Sequence, residues 1–130
     1  EELHGWIDIE TARVAQYLSV QAMRSDADRA LARFRANMVR WTNLFHATQM
    51  AARARYLAGD QAGAQALNRE GLALAERYEP QTAAWRKTPW VHLAESQIEA
   101  LQFAASVHGM AQEFQSSSRG AALFQIAGTA

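Results

Sequence analysis

Three arginines are spaced to act together: Arg29, Arg33 and Arg40, with Asn37 among them. At about 100° per residue of α-helix, the three fall within roughly 40° of one another. Guanidinium groups in such a strip can hold a carboxylate or a phosphate bidentately, so a small anion is the ligand they suggest. The same strip also reads as a solvated helix face paired with Asp26, Asp28 and acids on neighbouring helices.

The aromatic residues form a second group. Trp41 and Phe45 sit at core spacing, whereas Trp85 and Trp90 flank Pro80 and Pro89 and are expected at a surface. Together with Tyr78 they are the candidates for contact with a partner protein, because interaction surfaces favour large amphipathic rings. His92 and Glu95 are three apart and could face one ion, but a single such pair does not make a metal site. No Ser-His-Asp set, glycine-rich phosphate loop or pair of buried carboxylates is readable from spacing. Neither an enzyme nor a cofactor is called for.

Composition narrows the class. The chain has 130 residues, 49% hydrophobic and 20% charged, enough to bury one core without metals or disulfides. Alanine is about a fifth of the chain and proline is confined to two positions, which favours helix throughout. No β-branched run bounded by turns suggests a strand. Thirteen basic residues balance thirteen acidic ones, leaving no net field to attract nucleic acid. Twelve of the thirteen basic residues are arginine, a bias that a GC-rich genome explains. Cysteine is absent, which excludes disulfides and thiolate chemistry and fits any compartment.

No apolar run approaches the roughly 18–20 residues that span a bilayer, so no membrane insertion is expected. The chain begins Glu1-Glu2-Leu3 without an initiator Met. It therefore reads as a mature secreted chain or as a domain cut from a longer one, with a periplasmic or cytoplasmic setting both open.

The elements that must position these residues follow from hydrophobic periodicity. Leu31, Phe34, Met38, Trp41, Phe45, Thr48 and Ala52 recur at steps of three and four, predicting one long central helix over about 26–58. Glu1 to Gly5 reads as a loose start, and a first helix is expected over 8–23 with Asp8 as its N-cap. Ser25-Asp26-Ala27-Asp28, where the two patterns lose register, reads as a kink, a bend, or part of one continuous helix. Gly59-Asp60 should end the central helix in a left-handed cap and start the next, over 61–78, with Gly71 allowing close approach. After a loop, Thr88-Pro89 should open a last helix over 89–115, with residues 116–130 as a tail. The expected fold is one all-α domain, an antiparallel bundle of three to four helices.

The stretch from Ala47 to Arg77 resembles one helical hairpin of the tetratricopeptide type. Ala51-Ala52, Tyr56, Gly59-Asp60, Ala64, Leu67 and Gly71-Leu72-Ala73-Leu74 carry the resemblance. It covers about a quarter of the chain, with no second copy at a fixed period. It implies paired helices touching through small residues, in a family whose stacked repeats bind peptides or partner proteins. Arg29 and Arg33 also resemble the ligand-gripping arginines on the long first helix of chemoreceptor sensor bundles. That resemblance implies a small carboxylate bound across a dimer interface. The function expected is a non-enzymatic protein-interaction or adaptor domain, partnered by another protein or by its own copy. The alternative is an extracytoplasmic sensor bundle that binds a small anion through Arg29, Arg33, Asn37 and Arg40.

Overall fold

A computed structural model of the chain describes residues 2–79 and 88–116. Two compact units divide it, Glu1–Ile98 and Glu99–Ala130. The described residues form five helices: α1 Glu2–Ala15, α2 Val20–Ala36, α3 Trp41–Leu57, α4 Gln61–Tyr78 and α5 Pro89–Ser116. No strand occurs among the described residues. The all-α class therefore holds, with more helices and different breaks than periodicity suggests. The expected tail and Trp85 lie outside the described residues, apart from Ser116, which ends α5.

The expected central helix over 26–58 is two helices. Asn37 ends α2, its backbone N–H donating to the Arg33 carbonyl at 3.0 Å, and Arg40 in extended backbone opens α3. Asn and the β-branched Val39 are mediocre helix formers, so a reversal forms there without glycine or proline. The expected first helix over 8–23 is also displaced. Residues 2–5 are already helical, and α1 stops at Ala15. Ser19 then caps α2, its Oγ accepting from the Ala22 N–H at 3.2 Å. Ser25 to Asp28 is uninterrupted helix.

Gly59 behaves as its sequence context suggests. With φ at 86° it takes the left-handed conformation that ends α3, and the Asp60 N–H reaches back to the Arg55 carbonyl at 2.8 Å. Asp60 Oδ1 then accepts from the Gly63 N–H at 2.9 Å and caps α4. The hairpin closes through small residues. Ala51, Ala52, Ala64, Gly71 and Ala75 are buried, and a Cβ on Gly71 would stand 3.2 Å from Thr48 Oγ1.

Within the first unit α1 packs on α2, α2 on α3, and α3 on α4, while α1 also touches α3. The first turns of α5 join α3 and α4 through Val91 and Ala94, which share a core cluster with Phe45 and Ala75. Gln65 Nε2 on α4 donates to the Ile98 carbonyl at 3.2 Å. Thus α3 lies beside α1, α2 and α4, and the first turns of α5 close against α3 and α4. Thr88 was the expected side-chain cap of α5, but Glu79 does that work. Its carboxylate accepts from the Trp90 and Val91 N–H groups at 3.1–3.2 Å and binds the end of α4 to the start of α5. Thr88 contributes its carbonyl, to the His92 N–H at 3.0 Å. The described part of the second unit is the continuation of α5, with Phe103, Val107 and Met110 exposed.

Candidate interaction site

The arginine strip divides. Arg29 and Arg33 remain together on α2, where both hold one carboxylate of α1: Arg29 Nη1 donates to Asp8 Oδ1 at 3.2 Å and Arg33 Nε to Asp8 Oδ2 at 2.9 Å. Arg29 also binds Asp26 at 3.0 Å. Hydrogen bonds to Asp8 first, and then to Asp26, raise the Arg29 pKa above its ordinary value. Asp8 is thus a buried acceptor inside α1 and not an N-cap. Its fork tethers α1 to α2, and an external anion reaching Arg29 and Arg33 has to displace it.

Asn37 and Arg40 stand apart from that fork. Asn37 is the exposed C-cap of α2. Arg40 precedes α3 and approaches Glu2 Oε1 at 3.7 Å. Glu2 is also the acceptor for Asn43 Nδ2 at 3.1 Å, and Asn43 Oδ1 accepts from Trp6 Nε1 at 3.1 Å. This polar chain joins α1 to the start of α3.

Of the expected aromatic group, the described members do meet. Trp41 stacks near Tyr78, with ring centroids 6.5 Å apart and planes 17° from parallel, and meets Trp90 edge-on at 5.4 Å. The row continues into residues that no local spacing connects. His46 lies 5.4 Å from both Trp90 and Trp6, so three odd-numbered helices contribute one ring each. Trp6 in turn meets Phe34 edge-on at 6.4 Å. These three rings come from positions dozens of residues apart, which is why sequence reading leaves His46 as an unremarked boundary histidine.

Burial among these rings lowers the His46 pKa, and the nearby Arg13 charge acts in the same direction. The neutral imidazole is therefore the folded form, and an unfolded chain binds a proton that the folded one resists. Stability is expected to fall as pH drops below about 6.5, the usual histidine value, and to level off below the lower folded value. Urea unfolding at stepped pH checks this; in His46→Gln the part of the slope due to this residue disappears.

The third surface is the outer side of α1. Gly5, Asp8, Ile9, Ala12 and Ala15 face the neighbouring helices, while Leu3, Ile7 and Val14 are 70%, 51% and 63% exposed. Tyr17 and Leu18, in the turn that follows, are 82% and 83% exposed. At about 100° per residue Leu3, Ile7 and Val14 fall on one side of α1, four and seven residues apart. Leu3 falls in the stretch expected as a loose start, and Ile7 precedes the first helix expected over 8–23.

Among the described residues no group of three or more His, Asp or Glu side chains is placed to hold a metal ion. No described helix is long and apolar enough to cross a membrane. Compared with protein-family models, curated proteins and solved structures, the chain has no match.

Proposed function

We propose that this chain is a non-enzymatic protein-interaction or adaptor domain whose partner docks on the outer face of α1. The observation that carries the reading is the exposure of Leu3, Ile7 and Val14 on α1 and of Tyr17 and Leu18 in the turn that follows. Scattered exposed apolar residues are ordinary, but five large ones within α1 and the turn that follows it are a concentration that suits a contact surface. The inner face of α1 supports this use, because the Asp8 fork and the Trp6–Asn43–Glu2 chain hold the helix rigidly from behind. A rigid element loses little conformational freedom when it binds. Tyr78 and Trp90 add a smaller, half-exposed aromatic edge beside Trp41.

The test is site-specific photocrosslinking in the cells that make the protein. A photoreactive phenylalanine analogue at position 7 is expected to capture a discrete protein. The same group at exposed Arg69 on α4 is expected to capture none.

A further inference from the structure

The start of α5 holds two groups able to do one task. Thr88 stands at the N-cap position, its carbonyl accepting from the His92 N–H at 3.0 Å. A threonine there ordinarily turns its hydroxyl onto the N–H of the second or third helical residue, here Trp90 and Val91. Both of those donors are taken by Glu79, whose carboxylate accepts from them at 3.1–3.2 Å. Thr88 is only 4% exposed, and its Oγ1 is left buried with no hydrogen-bond partner among the described residues. A hydroxyl so placed opposes the arrangement that buries it.

We propose that Glu79 and Thr88 are alternative caps, and that exchange between them makes the first turns of α5 a detachable strap. With Glu79 in place, α5 is tied to the end of α4. With Thr88 in its place, α5 keeps a capped N-terminus of its own and leaves as an intact helix. The unpaired Thr88 hydroxyl weighs against the docked state and finds its donors in the released one. Glu79 and the burial of Val91 and Ala94 weigh the other way. The strap is short, because the first compact unit ends within α5 at Ile98, whose carbonyl accepts from Gln65 Nε2 at 3.2 Å. Residues 89–98, about three turns, are thus held by Glu79 at one end and Gln65 at the other. Under them on α3 and α4 lie Phe45 and Ala75, with Trp41 and Leu72 at the edge. The opened form therefore presents an apolar surface that the docked form hides, and does so independently of the outer face of α1.

The absence of cysteine lets a single introduced thiol report release by its rate of labelling under native conditions. Val91→Cys places the thiol under the strap at a 4% exposed position, and Ala27→Cys places it at a fully buried one on α2. Val91→Cys is expected to react at least about tenfold faster, because the strap opens without global unfolding. Glu79→Ala should speed that reaction by roughly fivefold, the effect of one helix cap. Thr88→Val, which keeps the shape and removes the hydroxyl, should slow it by a similar factor. In the Glu79→Ala background the hydroxyl is free to cap in either state, so Thr88→Val should there have much less effect. Helical circular dichroism should stay unchanged throughout, and Ala94→Cys, also buried, repeats the measurement should Val91→Cys fail to fold. Equal labelling rates at positions 91 and 27 would overturn the proposal. So would a Thr88→Val that leaves labelling unchanged or speeds it, as expected of a threonine that merely packs, or one that slows it equally in both backgrounds.

Discussion

Phe45→Ala is expected to lower the unfolding free energy by about 3–5 kcal/mol, the range for a fully buried phenylalanine cut to alanine. Phe45 has no exposed surface and is the hub of the first unit. Its ring lies 5.0 Å from Trp90 and 6.0 Å from Trp41, and it sits in one cluster with Ala75, Val91 and Ala94. The glycine at position 71 lets α4 approach this ring closely, a Cβ there standing 3.6 Å from its Cε2. A small domain has about 5–15 kcal/mol in all, so the variant should lose a large part of its stability. Urea titration checks the prediction through a lowered midpoint at an unchanged slope. Leu93→Ala, at a 42% exposed position on the same helix as Val91, should move the midpoint far less.

Gly5→Val is expected to be nearly as damaging, at about 2–4 kcal/mol, by overpacking and not by loss of contact. A Cβ at position 5 would lie 2.4 Å from Phe34 Cζ and under 3.0 Å from two further ring atoms. Phe34 is itself only 1% exposed and also meets Trp6, so it has little room to move. In an exposed helix, replacing glycine would gain up to about 1 kcal/mol of propensity. Here the steric term outweighs that gain. The two causes separate in a double-mutant cycle. Combined with Phe34→Leu, Gly5→Val should cost clearly less than the sum of the two single changes.

How far the fold can be read from the chain depends on whether its signals are local. Gly59-Asp60 is fully local, because a left-handed cap and an Asx cap are set by adjacent residues, and both form as expected. The helix over 61–78 and the start of the last one at Pro89 follow the same logic. The apolar file from Leu31 to Ala52 marks burial well, since Leu31, Phe34, Phe45, Thr48 and Ala52 are all buried. Periodicity, however, does not say whether a file belongs to one straight helix or to two antiparallel ones that happen to stay in phase across a four-residue reversal. At Asn37–Arg40 the weak local propensity of Asn and Val only permits a break, and packing of α2 on α3, which no window of sequence contains, selects it. The same limit hides the reversal before Ser19.

The sites show the same division. Arg29 and Arg33 are neighbours on a helix and remain neighbours, but their shared carboxylate, Asp8, lies on another helix and was assigned a different task by its local context. Trp6 and Trp90 each meet His46 only because α1 and the start of α5 both pack against α3. The exposed face of α1 was not legible, because its first turn falls in the stretch that reads as a loose start. An apolar stripe has the same spacing whether a helix of its own chain covers it or a separate molecule does.

The central claim is that the outer face of α1 is covered by another protein in the cell. Photocrosslinking from position 7, read by mass spectrometry of the adducts against the same group at position 69, tests it most directly. The expected result is one dominant adduct from position 7, of a single mass, that is lost when Val14 is also changed to Asp. Equal, diffuse labelling from both positions, or none from position 7, would contradict it.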